Sequence, residues 1–172
     1  MTNIMDEVRL EKVTLNLSFA GRPERQNAAV TVAESLAGQK PVLSRAKKTV
    51  REFGIHKGEP MAAVVTLRKE KAEDFLNKAL VAVNRRMKAS SFDGRSTLNF
   101  GVSEHITIPG MKYVPELGIF GFNVAITLSK PGKRVEVRRE SPRRLPAKKF
   151  VNRDEALEFM RRKFSVEFDR GD

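Results

Sequence analysis

The segment RLEKVTLNLSF, residues 9–19, has the alternating pattern of a β-strand with one buried and one solvated face. Its apolar positions are Leu10, Val13, Leu15 and Leu17. The positions that point the other way are Lys12, Thr14 and Asn16. Such a strand needs an apolar layer on one side only, so it predicts a sheet that is covered on one face.

The segments that follow alternate between helical and extended patterns. Residues 24–37 have apolar side chains at helical spacing, and Gly38 stands where that helix would end. Residues 61–70 form a second strand pattern with Thr66 and Arg68 on its polar side, and residues 72–87 have a 3.6-residue apolar stripe. Residues 90–110 predict a turn and two strands, and residues 118–128 a further strand. This order predicts an α+β fold with helices packed on one face of a sheet and an open polar face suited to RNA.

The composition favours a polyanionic partner. The 33 Lys and Arg exceed the 21 Asp and Glu, which gives a formal net charge of +12. Binding a polyanion relieves this self-repulsion, so nucleic acid is the first partner class and an anionic membrane surface the second.

The 172 residues, 40% of them apolar, predict one domain over 1–172, with a core over about 8–130 and a basic extension over 131–172. The chain has no cysteine, no transmembrane-length apolar run and no signal-peptide pattern, so we expect a cytoplasmic protein that does not engage a membrane.

Two segments concentrate the positive charge. Between Lys40 and Lys57 there are six Lys or Arg against one acid, with Gly54 and Gly58 near the end of the run. Phe53 and Ile55 within it are interpreted either as a small packing anchor or, for Phe53, as a stacking surface for a base. Residues 130–150 contain nine Lys or Arg, two Glu and three Pro, which is typical of an extended basic arm. A short helix follows, with Asn152 as its cap.

Catalytic patterns are absent from the sequence. It contains no GxxxxGK[ST] loop, no GxSxG elbow and no HExxH helix. His56 and His105 are far apart, and Glu104 and His105, as neighbours in an expected strand, would point to opposite faces. We therefore expect His105 to be structural or exposed, and we expect no enzymatic activity, no cofactor and no metal site. An RNA-modifying enzyme is the weakest alternative, because it would need a cofactor pocket or an acid–base pair.

Five strings resemble, in matching order over roughly residues 8–130, the universal large-subunit ribosomal protein family that binds 5S ribosomal RNA. They are LEKVTLNLS, GQKPVLSRAKKTVREFGIHKGEP, VTLR, SFDGRSTLNFGVSEHI and GIFGFNVAIT. The form REFGIHKGEP, the short N-terminus and the C-terminal arm are most similar to the archaeal and eukaryotic branch. The resemblance implies an antiparallel sheet with helices on one side and a structural constituent of the large subunit.

The resemblance further implies that the protein anchors 5S rRNA in the central protuberance. By motif, the RNA-contacting polar positions of the family fall on Asn16, Gln39 and Thr66, of which Gln39 rests on the resemblance alone. Short polar side chains suit hydrogen bonds to bases and 2′-hydroxyls. The surrounding phosphate contacts are expected from Lys12, Arg45, Lys47, Lys48 and Arg68.

In the same family, the loop between the second and third strands reaches toward the peptidyl-site tRNA. The corresponding loop here is about residues 49–60, with contacts expected from Arg51, His56 and Lys57. Gly54 and Gly58 belong to the same contact and let it bend. The implied partners are 5S rRNA, 23S-type rRNA, P-site tRNA and neighbouring ribosomal proteins. The partner of residues 130–150 stays open between ribosomal RNA and a neighbouring protein, and a stand-alone RNA-binding regulator or assembly factor is the alternative function.

Overall fold

A computed structural model describes residues 4–19 and 22–169 of the chain. The strands are β1 (Arg9–Ser18), β2 (Val42–Arg45), β3 (Pro60–Leu67), β4 (Arg86–Lys88), β5 (Thr97–Val102), β6 (Phe122–Ser129) and β7 (Glu167–Asp169). The helices are α1 (Gln26–Ala37), α2 (Lys69–Ala82), α3 (Arg134–Val137) and α4 (Arg153–Phe164). Five strands form one sheet in the order β2-β3-β1-β6-β5, and β4 and β7 form a separate parallel pair.

The first strand of the chain lies at the centre of the five-stranded sheet. β1 pairs antiparallel with β3 on one side, where Thr14 lies opposite Thr66, and with β6 on the other, where Asn16 lies opposite Asn123. β2 and β5 pair antiparallel with β3 and β6 and form the two edges. The predicted α+β fold with an antiparallel sheet is therefore confirmed.

The apolar core lies on one face of this sheet. Leu15, Val65 and Ile126 are almost completely buried, and they belong to one cluster with buried side chains of α1, α2 and α4. The helical members are Ala29, Val32, Ala33, Ala72, Phe75, Leu76, Ala79, Leu80, Ala156, Phe159, Met160 and Phe164. Because side chains alternate along a strand, the opposite face of the sheet carries the polar set predicted from the sequence.

A β-bulge shifts the register of β1 near its start. Leu10 pairs with Leu128 but Lys12 with Thr127, so Glu11 is an extra residue opposite the continuous strand β6. The bulge explains why the apolar positions Leu10 and Val13 are three residues apart rather than two. Without it, Leu10 and Val13 could not share the core-facing side of one strand.

The helix predicted over residues 72–87 ends earlier in the structure than its apolar stripe predicted. α2 ends at Ala82, and the backbone then turns through Asn84 and Arg85, which both have positive φ, 53° and 54°. Met87 is buried, as an apolar stripe requires, but it lies in β4. The left-handed pair ends the helix because a residue at positive φ cannot continue right-handed helical geometry.

Two strands were predicted within residues 90–110, but the structure has only one strand there. β5 occupies Thr97–Val102, and a single 3-10 turn at His105–Thr107 takes the place of the second strand. His105 therefore lies in a turn, and the backbone N–H of His105 donates to the Phe120 carbonyl at 2.9 Å. The strand predicted over residues 118–128 corresponds to β6, which begins at Phe122, four residues after the predicted start.

The basic arm, residues 130–150, is more folded than its composition predicted. It contains α3, and Lys130, Lys133 and Lys149 form ion pairs with Glu155, Glu11 and Asp6 at 2.7–2.8 Å. The helix predicted after it is α4, and the N–H of Asn152 donates to the Glu155 carboxylate at 3.1 Å. This contact is one half of a capping box, so the predicted start of the helix is confirmed.

Candidate RNA-binding surface

The open face is the side of the sheet opposite the core, and all five strands contribute polar side chains to it. They are Arg9, Lys12, Thr14, Asn16 and Ser18 of β1, Ser44 of β2, Thr66 of β3, Thr97 and Asn99 of β5, and Asn123, Thr127 and Ser129 of β6. The register places them in rows across the sheet; for example, Thr66, Thr14 and Asn99 lie in one row together with Ala125. Hydroxyl and amide groups predominate, so this surface offers hydrogen bonds without a high density of charge.

Three predicted polar positions lie near one another on the β3 side of this face. Asn16 and Thr66 are exposed, and they occupy adjacent strands one row apart. The Gln39 side chain, from the turn after α1, donates from Nε2 to the Thr66 carbonyl at 2.8 Å. This hydrogen bond fixes Gln39 beside the two others, which the spacing of the sequence alone did not indicate.

The predicted basic residues surround these three positions. Arg45 ends the edge strand β2, Lys47 and Lys48 follow it, and Arg68 lies between β3 and α2; all four are exposed. Lys12 is half-buried on the open face, in the row with Thr127 and Thr97. The cations therefore lie at the margins of a mostly neutral polar surface, an arrangement that suits phosphate contacts around a base-contacting centre.

The half of the open face that β5 and β6 provide was not predicted from the sequence. A shallow depression of about 330 Å³ lies between Asn16, Ser18, Ser103 and Asn123. Gly101 and Gly121 form its floor, and a Cβ at Gly121 would lie 2.9 Å from the Ser103 carbonyl oxygen. The alternation of Thr97, Asn99 and Gly101 with apolar residues was a signal that could have identified this region.

The basic loop between β2 and β3 is a folded hairpin, here called the finger (residues 46–59). The N–H of Ala46 donates to the Glu59 carbonyl at 2.8 Å, and Val50 and Ile55 exchange two backbone bonds of 2.9 and 3.1 Å. Near its base, the N–H of Lys57 donates to the Thr49 hydroxyl at 3.1 Å. Gly54 and Gly58 have φ of 62° and 90°, a region that strongly favours glycine. The finger thus holds its shape through its own hydrogen bonds.

The predicted tRNA-contacting residues of the finger are open to solvent, with Arg51 and Gly54 at its end and His56, Lys57 and Gly58 on the segment that returns to β3. Arg51, Gly54, His56, Lys57 and Gly58 are all exposed. Phe53 and Ile55 do not form the packing pair that was one interpretation of the sequence: Ile55 is buried, whereas 70% of Phe53 is exposed. Ile55 and Ala46 are the buried apolar residues of the finger, whereas Phe53 ends the 3-10 turn Arg51–Phe53 and projects into solvent.

His105 is a structural residue. It is 2% exposed, and its Nδ1 accepts a hydrogen bond from the Phe120 N–H at 3.3 Å. Burial lowers the pKa of the His105 imidazole below its usual 6.5 and outweighs the opposing effect of the Glu104 carboxylate. The ring accordingly favours its neutral form and packs the turn at residues 105–107 against the segment before β6.

Metal sites and membrane spans are both absent from residues 4–19 and 22–169. No cluster of three or more His, Asp or Glu side chains in these ranges has a geometry that could hold a metal ion. Over the same residues, no helix combines the length and apolar character needed to cross a membrane.

Comparison with known proteins relates both halves of the chain to one ribosomal family. The family described as ribosomal protein L5 matches residues 3–56, and the model of the C-terminus of the same ribosomal family matches residues 60–159. The large ribosomal subunit protein uL5 of Sulfurisphaera tokodaii is 48% identical over 98% of this chain and 96% of its own length. The proteins of the same name from Aeropyrum pernix and Methanobrevibacter smithii are 47% and 40% identical, over 95% and 96% of this chain and 86% and 98% of their own lengths. The chain therefore belongs to the ribosomal protein L5 family, and it is a non-enzymatic structural constituent of the large ribosomal subunit.

Proposed function

We propose that this protein binds 5S rRNA through its open face and helps to anchor that RNA in the central protuberance of the large subunit. The observation that carries the proposal is the position of Asn16, Gln39 and Thr66, which converge on one side of an exposed polar sheet face. Unstacked bases and 2′-hydroxyls of a folded RNA are recognised by neutral donors and acceptors of this kind. Lys12, Arg45, Lys47, Lys48 and Arg68 supply phosphate contacts around them.

Replacing both Asn16 and Thr66 with Ala tests the open face. Each lost hydrogen bond costs on the order of 1 kcal/mol, so the double variant is expected to bind 5S rRNA about 30-fold more weakly. The measurement is a titration of labelled 5S rRNA at several salt concentrations, beside an unrelated structured RNA of equal length. The double variant should lose most of the preference for 5S rRNA while its nonspecific binding stays unchanged.

A matched control places the same two substitutions on the helical side of the molecule. Thr31 and Asn77 are exposed residues of α1 and α2, away from the open face. Thr31→Ala with Asn77→Ala should bind 5S rRNA as the wild type does. Equal affinities of the wild type and the Asn16/Thr66 variant for 5S rRNA would show that the open face is not the binding surface.

We further propose that the finger contacts the tRNA in the peptidyl site. The finger carries the exposed residues Arg51, His56 and Lys57 on a backbone that is already hydrogen-bonded, and the exposed ring of Phe53 adds a stacking surface for a base. The contact uses residues other than those of the open face, because Arg51, His56 and Lys57 lie in the loop between β2 and β3 and not on a strand of the sheet.

Replacing residues 51–57 with a glycine linker of equal length tests the role of the finger. The variant should bind 5S rRNA normally, while large subunits that contain it should hold peptidyl-site tRNA several-fold more weakly. A second variant, Arg51→Ala with His56→Ala and Lys57→Ala, retains the glycines and the hairpin, and it should reproduce most of the defect. Wild-type tRNA occupancy in subunits with the glycine linker would contradict this contact.

A further inference from the structure

Within the arm, residues 130–150, the structure describes the side chains of eight of the nine Lys and Arg, and these eight divide into two groups by residue type. Lys130, Lys133 and Lys149 form ion pairs with the body of the protein. The arginines of the arm are exposed, and among the residues that the structure describes none of them has an ion-pair partner; they are Arg134, Arg138, Arg139, Arg143 and Arg144. These three lysines attach the arm to the body of the protein, and the five arginines are left available to a ligand.

The exposed arginines lie on a short folded unit, here called the arginine tip (residues 134–144). α3 forms its first part, and the N–H of Arg143 donates back to the Val135 carbonyl at 3.1 Å. Arg138 Nε donates to the Ser141 carbonyl at 3.0 Å, which orients one guanidinium group. These bonds bring Arg138, Arg139, Arg143 and Arg144 close together in the chain fold, so their charges act on one region.

The arginine tip lies at the end of the sheet opposite the finger. The arm follows Ser129, which pairs with Arg9 at the start of β1. The finger precedes β3, where Ala62 pairs with Ser18 at the end of β1. Ten residues of extended strand separate the two ends, a distance of about 30 Å. The basic loop and the basic arm therefore cannot serve one local phosphate cluster.

We propose that the arginine tip binds the phosphate backbone of a second RNA segment, distinct from the one that the finger meets. Guanidinium groups form bidentate hydrogen bonds to phosphate, which distinguishes them from the lysines that attach the arm. This contact goes beyond the proposed function, since it does not depend on which RNA lies on the open face.

RNA fits the arginine tip better than a protein partner does. The buried centres of protein interfaces are more apolar than their rims and rich in aromatic side chains, whereas residues 134–144 contain no aromatic residue and expose only Val135 and Val137 among their large apolar side chains. Of the eleven residues from 134 to 144, five are Arg and two are Glu. A protein partner would have to bury this charge against an acidic surface, whereas phosphates meet it without desolvating an apolar core.

The test compares two variants of the full chain that each lose four positive charges. The tip variant carries Gln at Arg138, Arg139, Arg143 and Arg144. The control variant carries Gln at Lys71, Lys78, Lys88 and Arg153, which are exposed and lie outside the open face, the finger and the arm. The probe is an RNA hairpin of unrelated sequence with a fully paired stem of about 16 base pairs. The measurement is the slope of log Kd against log salt concentration, which changes by about 0.7–0.9 for each phosphate contact.

The tip variant is expected to lower this slope by about 3, and the control variant by less than about 1. Equal losses of slope in the two variants, or no loss in the tip variant, would overturn the proposal. The latter result would leave an acidic protein surface as the partner. The Asn16/Thr66 double variant should bind the hairpin normally, so a failure of the tip proposal is distinguishable from a failure of 5S rRNA binding.

The absence of cysteine from the chain allows a second measurement in assembled large subunits. Ser141→Cys places a single thiol within the tip, and an iron chelate attached there generates hydroxyl radicals locally. The expected result is cleavage of ribosomal RNA at one restricted region. Subunits that contain the labelled protein and show no RNA cleavage would also overturn the proposal.

Discussion

At the scale of single residues, the two histidines of the chain have opposite environments. His56 is exposed near the end of the finger, while His105 is buried in a turn that joins β5 to the segment before β6. Sequence patterns predicted that His105 was structural or exposed, but they assigned it to a strand. The misassignment arose because the backbone bond between His105 and Phe120 joins residues fifteen positions apart, and no local pattern records it.

The depressed pKa of His105 predicts how stability depends on pH. The unfolded chain binds a proton at His105 more readily than the folded chain does, so acidification favours unfolding. This contribution to stability is fully present above the unfolded pKa of about 6.5, and it is lost as the pH falls below that value toward the folded pKa. Urea unfolding at about pH 7.5 and about pH 5.5 should therefore show a lower free energy of unfolding at the lower pH.

The variant His105→Gln should have a smaller loss of stability between these two pH values than the wild type. Asn77→Gln, at an exposed position of α2, is the control, and it should keep the wild-type pH dependence because it exchanges one uncharged amide for another. An identical pH dependence in His105→Gln and the wild type would refute the assignment of this effect to His105.

At the scale of elements, the arm depends on one carboxylate that serves two purposes. Glu155 accepts the Asn152 N–H at the start of α4 and also pairs with Lys130, whose side chain is only 6% exposed. Removing the charge of Glu155 leaves a buried ammonium group without a counter-ion. The junction between β6, the arm and α4 should therefore be sensitive to this one residue.

The substitution Glu155→Gln should lower the free energy of unfolding by about 2 kcal/mol, a value reduced from that of a fully buried pair because Glu155 is partly exposed. Gln retains an acceptor for the helix start, so the loss reports on Lys130. Adding Lys130→Met should recover most of the stability, since the buried cation is then removed. Urea unfolding of the single and the double variant measures both free energies of unfolding. A double variant that is no more stable than Glu155→Gln would contradict the role of the buried charge.

Local patterns predicted those elements whose boundaries depend on neighbouring residues. Gly38 ends α1 with φ of 63°, and Asn152 begins α4, both as the sequence indicated. The end of α2 was not predicted, because neither Asn84 nor Arg85 is a glycine, although both adopt positive φ. The spacing of Leu10 and Val13 contained the signal of the bulge, but an extra residue is recognised only once its partner strand is known.

At the scale of the whole molecule, the candidate binding surface was predicted in part. Asn16 and Thr66 were placed on one face by alternation alone, since the period of a strand is two. Asn99 and Asn123 on the same face were missed because their position depends on the pairing of β5 with β6 and of β6 with β1. The ion pair between Lys133 and Glu11 joins residues 122 positions apart, and no sequence pattern could show that the arm returns to β1.

The position of β1 at the centre of the sheet has a consequence for biosynthesis. β1 is the first strand to be made, yet one of its two neighbours, β6, begins about 100 residues later. At typical translation rates of about 5–20 residues per second, the nascent chain carries an unpaired edge of β1 for roughly 5–20 seconds. During that interval, Leu15 and Leu17 lack the neighbours that bury them, and the exposed edge can pair with other chains. A chaperone or an early RNA partner that covered this edge would keep it from pairing with other chains until β6 emerges and completes the sheet.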